Sequence, residues 1–331
     1  MKSIININII SPIANLFEKQ LSSDWDLVGY KFFFNSRADI IWDVVVIYEN
    51  IKESYELCYK AGALFFISGE PPIVKVYSQT FINLFDHVIS AHTLRHPHNH
   101  RDQQALPWYF GYNFRTASPS FDYKQIELME VPEKKKKISF ITSSRKFLPG
   151  HKKRLAWMSK LREEYGDQID FYGNGIQMVD DKATALCPYE FSICIENSYE
   201  LDYWTEKIAD SFLAYSVPIY CGCKNINTYF PDNSIIPLDI NDTAASLSKI
   251  GEILQHSDQI YREKLPFVKA SRSLLLFKYN LFPFIKSYID KFIDLNSEKV
   301  VKIVIDPYDS YPKDKMREAL LKTKRVIHKI F

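Results

Sequence analysis

Glycine is scarce in this chain, with 10 residues in 331. Neither charge sign dominates. The 42 Lys and Arg stand against 40 Asp and Glu, and a net charge of +2 rules out a whole-molecule polyanion binder, so any basic function must be local. No apolar run reaches the length of a spanning helix. "SIININIISPI", after Met1 and Lys2, is too polar and too short for a secretory signal. No internal repeat is visible. Of five cysteines, most lie in or beside apolar runs, as reduced core thiols of a cytosolic protein do. Cys221 and Cys223 form a C-x-C without a second pair, which does not make a zinc site.

What is present is ordinary globular material: 46% hydrophobic, 25% charged and 15% aromatic residues. This is not a disordered composition, and the length allows two domains with real cores. "SIININI", "IIWDVVVIYE", "ALFFISGE" and "DHVISAH" each read as a buried strand between helical patterns, with "LPWYFGY" a less regular aromatic segment. Together they predict an α/β domain with a largely parallel sheet. Pro132, Glu133 and Lys134 to Lys137 read as a solvated break.

The pattern then resets. "KISFITSS", "IDFYGNG", "FSICIENS", "VPIYCG" and "SIIPLDI" are strands. "GHKKRLAWMSKLREEYG" is a helix with Leu155, Met158 and Leu161 on one face. "DYWTEKIADSFLAY" and "NDTAASLSKIGEILQ" are further helices, the latter capped at Asn241 or Asp242. The expected fold is α/β with two Rossmann-like domains and a cleft between them. The expected domains are 1–133, 134–275 and a C-terminal segment 276–331. In that segment "KVVKIVIDPYD" reads as a strand or extended arm. A basic helix then runs from Pro312, with Met316, Leu320, Ile327 and Phe331 on one stripe. It is expected to lie on an anionic membrane surface or, equally, to pack on the protein or stand as a solvated tail.

Two polar clusters stand out between buried strands. Glu196, Asn197 and Ser198 end one strand, and Tyr203, Thr205, Glu206 and Lys207 open the next helix, with Asp202 or a neighbour as its cap. Ligands of doubly wound sheets bind beyond the carboxyl ends of the strands. A helix N-terminus with a lysine beside it suits phosphate. "DWD" at Asp24 to Asp26 has the form of a metal-binding pair but reads better as a turn. His96, His98 and His100 of "HPHNH" lie in a polar loop without a nearby carboxylate or cysteine, which reads better as part of an acceptor-binding surface than as a metal site.

"FSICIENSYELDYWTEKIADSFLAYSVPIYCG" with the later "YFPDNSIIPLDI" resembles the signature of glycosyltransferase family 10, the α-1,3/α-1,4-fucosyltransferases. That signature runs F-x-x-x-x-E-N-S, Y-x-T-E-K, V-P-x-x-x-G, then F-x-P-x-x-S-[FI]-I. The likeness is strongest from Tyr189 to Asp239 and weaker at "LFFISGEPP" and "LFDHVIS". It implies a GT-B fold, with the N-terminal domain binding the acceptor and the C-terminal one GDP-fucose. It also implies inverting transfer of L-fucose to a glycan hydroxyl, with no cofactor and no essential metal. Glu70 matches the family's base, although Pro71 and Pro72 depart from the usual residues after it. Arg154 and Lys207 match the residues that meet the diphosphate, and Glu206 one that contacts ribose or sugar. Tyr172, Gly173, Glu196, Asn197, Ser198, Tyr203 and Thr205 are expected around the donor, Glu196 equally as a structural group. Another GDP-linked deoxysugar, or nucleotide-sugar or glycan binding without turnover, stays open as an alternative. The missing signal anchor and disulfide pattern suggest a bacterial-type enzyme. It is expected in the cytoplasm or peripheral on the inner membrane face, acting on an oligosaccharide or lipid-linked acceptor in surface polysaccharide or lipopolysaccharide synthesis. No nucleic-acid partner is expected.

Overall fold

The computed structural model describes residues 4–144 and 149–312, with Ala319. Apart from Ala319, the basic tail beyond Pro312 lies outside the described residues. Contacts divide the chain into a first unit, up to Leu106 and from Asn280 on, and a second unit, Pro107–Tyr279. The division therefore falls at Leu106 and Tyr279, not at the lysine run, and the chain's return past Asn280 belongs to the first unit instead of standing apart.

The first unit holds a six-stranded sheet in the order Tyr30–Phe34, Ile5–Ile10, Val44–Tyr48, Leu64–Ile67, His87–Ser90, Asn99–Arg101, and every pair is parallel. Val44–Tyr48 and Leu64–Ile67 are buried along their whole length, as central parallel strands covered on both faces must be. The expected single strand "IIWDVVVIYE" is two. Ile41–Trp42 pairs with Tyr55–Lys60, and Val300–Ile305 closes this small second sheet antiparallel on the other side. Asp43 marks the break, because its carboxylate accepts from Asn6 N–H and pairs with Lys60. The helix Leu281–Phe292 contributes Leu281, Phe282, Phe284, Ile285, Tyr288 and Ile289 to the first unit's core.

The second unit has five parallel strands in the order Ile169–Tyr172, Lys136–Ile141, Tyr189–Ile195, Val217–Cys221, Ile236–Pro237. In sequence terms this is 2-1-3-4-5, whose direction of winding reverses between Lys136–Ile141 and Tyr189–Ile195. The lysine run at the start of the first strand is exposed at Lys135, Lys136 and Lys137, as a solvated break is, but not at Lys134, and two of its ammonium groups are bound. Lys134 Nζ donates to the carbonyls of Ala214 (2.8 Å) and Cys187 (2.9 Å). Lys137 Nζ donates to Leu254 O at 2.8 Å. Ala214 ends the helix Glu206–Leu213, and Leu254 lies in the last turn of Thr243–Gln255. Each lysine therefore satisfies a helix's terminal carbonyl and meets its negative end.

Candidate active site

The helix Pro149–Tyr165 follows the first strand of the second unit. Its buried positions are His151, Arg154, Trp157 and Leu161, while the expected Leu155 and Met158 are only half-buried. Arg154 thus lies on the core face, 3% exposed. A charge in that place needs partners or a task. Its Nη1 donates to Asn197 Oδ1 and its Nη2 to Ser143 O at 3.3 Å. Its Nε is buried with no hydrogen-bond partner among the described residues. Burial lowers the Arg154 pKa, opposed by Tyr199, Glu196 and Glu206. Ser143 and Asn197 follow the two strands between which the winding reverses, so the guanidinium sits at the switch point of the sheet.

Glu196 directly follows the fully buried strand Tyr189–Ile195 and is itself 0% exposed. Its carboxylate accepts from Thr205 N–H (2.9 Å), from Thr205 Oγ1–H, and from Lys207 Nζ at 3.2 Å. Thr205, not Asp202, caps the helix, which begins at Glu206. Asp202 instead has φ +62° and binds Asn225 and Tyr229. Lys207 Nζ also donates to Thr205 Oγ1 at 2.9 Å and reaches Glu206 Oε1 at 3.3 Å. Glu196 is therefore the anchor that seats the cap and aims Lys207. Gly222 is required beside it, since a Cβ there would come within 2.4 Å of Glu196 Cγ.

A further ion pair runs along the same helix. Lys182 Nζ lies 2.7 Å from Asp210 Oδ2 and 3.8 Å from Glu206 Oε1. Asp210 accepts in turn from the N–H groups of Tyr109 and Phe110. Burial works against ionising Glu206, but Lys207 and Lys182 overcome it and hold the carboxyl at about 2. Burial raises the carboxyls of Glu196 and Asp210, opposed by Lys207 and Lys182 respectively. Burial also opposes the charge on Lys207, yet Glu196 and Glu206 outweigh it and its pKa rises. The result is an ionised Glu206 between two ammonium groups, with Arg154 close enough to act against the charge of Lys207. Asp210 was legible in principle as the i+4 partner of Glu206 on a buried face. Lys182 carried no signal, because it opens a short 3-10 turn, Lys182–Ala185, that has no periodic pattern.

Tyr172 ends its strand with its hydroxyl 2.6 Å from that of Tyr189. Gly173 has φ +125°, and a Cβ there would sit 1.6 Å from Thr142 O. Its backbone therefore lies directly against the end of the neighbouring strand. Ser198 and Tyr203 are buried, at 3% and 7% exposed.

Glu70 lies in the first unit, half-buried, three residues past the strand Leu64–Ile67. Its N–H donates to Glu49 Oε2 at 3.1 Å, and its C=O lies 2.8 Å from His92 Nε2. The residues Ser23–Val28, which include "DWD", form a 3-10 turn. In the histidine segment His98 and His100 stack on His87, and His87 Nδ1 lies 3.1 Å from His100 Nε2. Among the described residues no group of three or more His, Cys, Asp or Glu is placed to hold a metal ion.

This architecture recurs in solved structures. An alpha1,3-fucosyltransferase with GDP superposes with a TM-score of 0.50 at 18% identity, over 83% of this chain and 91% of that one. An alpha-glucosyltransferase in complex with UDP and a 13-mer DNA gives 0.51 at 10% identity, over 88% and 100%. The class is thus a GT-B-type glycosyltransferase fold. Residues 131–274 match the family model "Glycosyltransferase family 10 (fucosyltransferase) C-term". Over those residues the chain is similar to the C-terminal domain of that family. The chain is also similar to the 4-galactosyl-N-acetylglucosaminide 3-alpha-L-fucosyltransferase 9 of Homo sapiens, 29% identical over 139 residues (40% of this chain, 37% of the relative). The Rattus norvegicus protein is 29% identical over 155 residues (45% and 40%). The similarity spans well under half the length of these relatives.

Proposed function

We propose that this protein transfers L-fucose from GDP-fucose to a glycan hydroxyl with inversion at the anomeric carbon. The observation that carries the reading is the buried Arg154, held at the sheet's switch point by Asn197 while its Nε has no partner among the described residues. A guanidinium with a spare donor suits a diphosphate oxygen. Lys207 provides a second cation at the end of the same strand, and its longest contact, to Glu206 at 3.3 Å, is the one a phosphate oxygen would replace. Glu206, kept ionised, can then accept from ribose or sugar hydroxyls. Tyr172, Gly173, Asn197, Ser198 and Tyr203 would surround the donor.

In the proposed reaction the Glu70 carboxylate takes the acceptor's hydroxyl proton. The acceptor oxygen forms its bond to the sugar's C1, and the C1–O bond to the diphosphate breaks. GDP leaves with the electron pair, and Arg154 and Lys207 neutralise its charge as it forms. Glu70 owes this role to its motif. The acceptor we favour is an oligosaccharide or lipid-linked precursor of surface polysaccharide or lipopolysaccharide.

The test is a thermal-shift panel of GDP, UDP, CMP and GDP-sugars, followed by transfer assays. A ligand at 100 times its Kd stabilises by about 2.7 kcal/mol, so GDP and GDP-fucose should give clear upward shifts. A preference for UDP would overturn the donor. Equal shifts and turnover with another GDP-deoxysugar would move the sugar assignment, and binding without turnover would leave a binding protein.

A further inference from the structure

Glu49 directly follows the strand Val44–Tyr48, beside the place where the winding of the first unit's sheet reverses, and holds φ +67°. A left-handed backbone is uncommon for glutamate and persists where its surroundings over-determine it. Here they do. Oε2 of Glu49 accepts from Gly69 N–H at 2.6 Å and from Glu70 N–H at 3.1 Å. Oε1 pairs with Lys75 Nζ at 2.6 Å and accepts from Tyr77 O–H at 3.0 Å. Tyr77 is 0% exposed.

The other side of the Glu70 peptide is held as well. His92, 4% exposed, places Nε2 at 2.8 Å from Glu70 C=O. A carbonyl only accepts, so the His92 proton is on Nε2. Ser68 Oγ lies 3.0 Å from the same carbonyl. Pro71 and Pro72 follow, which restricts Glu70 to extended backbone and fixes the next two φ angles. One carboxylate and one imidazole thus clamp the N–H and C=O of a single residue.

We propose that Glu49 is a positioning residue for the transfer reaction: it fixes the backbone of Gly69 and Glu70 and so sets the direction in which the Glu70 carboxylate is presented. The inference rests on the reading of Glu70 as the base. Glu49 itself touches no reacting atom. Its effect is on orientation, where displacement of a catalytic group by about 1 Å is worth about a hundredfold in rate.

The test uses Glu49→Gly, which removes the carboxylate and relieves the left-handed backbone, with a cooperative thermal transition checking that the fold is kept. Glu49→Gln retains one acceptor oxygen. Amide hydrogen exchange on the full chain reads the clamp directly. In Glu49→Gly, exchange at Gly69 and Glu70 should rise at least about tenfold, as expected on loss of a protecting hydrogen bond. Turnover is followed as GDP release from GDP-fucose, with water or a 4-galactosyl-N-acetylglucosaminide as acceptor. The expected pattern is a kcat lowered about ten- to hundredfold in Glu49→Gly with KM for GDP-fucose unchanged, and partial rescue in Glu49→Gln. Unchanged exchange at Gly69 and Glu70 overturns the proposal, with or without turnover. So does a raised donor KM at constant kcat. Glu70→Gln in the same assay separates the two claims. If it turns over like the wild type, the base reading fails. If it is inactive while Glu49→Gly matches the wild type, only the positioning role fails.

Discussion

Replacing Glu196 by Gln tests the anchor at the centre of the site. The carboxylate is wholly buried and receives Thr205 N–H, Thr205 Oγ1–H and Lys207 Nζ. Glutamine's carbonyl oxygen can keep the Thr205 donors. Its NH2 group would then face Lys207 Nζ, whose distance to Oε2 is 3.2 Å, setting donor against cation. The lost charge-assisted hydrogen bond is worth about 1.5–3 kcal/mol. Part returns, because burial already disfavours the charged form of Glu196. A net loss of about 2 kcal/mol follows, or about 4–8 °C in Tm for a unit of this size. Lys207→Met should lose more, about 3–5 kcal/mol, because it strands a buried carboxylate. In the double variant that stranded charge is gone. The two losses should therefore fall short of additivity by about 2 kcal/mol in thermal or denaturant unfolding. Additivity within about 0.5 kcal/mol would show that the two groups do not act as a pair, and the account of how Lys207 is aimed would be wrong.

Arg154→Met should lower kcat/KM by about 2–4 kcal/mol of transition-state stabilisation, with Arg154→Lys recovering only part because it lacks the fork; equal activity of all three in a GDP-release assay would remove Arg154 from the donor site. Glu206 titrates at about 2 in the fold against an ordinary 4.5, so its contribution is complete above pH 4.5 and is lost as pH falls toward 2. With a fifth of the side chain exposed, solvent screening leaves about 2 kcal/mol, which Glu206→Gln should erase from the acid limb of a Tm–pH curve. Lys134 gives the same sign of slope on the alkaline side. Burial lowers its pKa from 10.5 to about 7, so the unfolded chain binds the extra proton between those values and stability should rise with pH, by at most about 1.4 kcal/mol per unit. The neutral amine still has two N–H donors for the carbonyls of Cys187 and Ala214, and Lys134→Met should flatten that slope. Gly173→Ala should destabilise by about 3 kcal/mol, because its Cβ would fall on Thr142 O; an unchanged Tm would contradict the described loop.

Much of the second unit was legible in the chain. Short apolar runs such as "FSICI" and "VPIYC", with β-branched and aromatic residues and turn signals close by, read as strands buried on both faces. The Thr205–Glu206–Lys207 helix start follows from a hydroxyl that accepts the N–H two residues on. The spacing from Glu196 to Lys207 also carried the family likeness. Less legible was the tail of the first unit, where Leu281–Phe292 packs against strands more than two hundred residues earlier, as in the Phe32–Phe282 ring contact. The lysine run is exposed at Lys135, Lys136 and Lys137, and only Lys134 departs from that reading. Four adjacent lysines look alike until the helix ends that Lys134 and Lys137 cap are brought to them.

Local order came from the sequence itself: where strands run, which hydroxyl caps a helix, which polar residues stand at a strand's end. Each is settled by side chains within a few residues, through periodicity and short-range hydrogen bonding. Only the tertiary structure decided that Arg154 meets Asn197, that Lys182 flanks Glu206, and that Glu49 holds the peptide of Glu70. Those partners are 43, 24 and 21 residues apart. What joins them is the order in which parallel strands pair, and that order depends on the burial of whole sheets instead of on any local pattern.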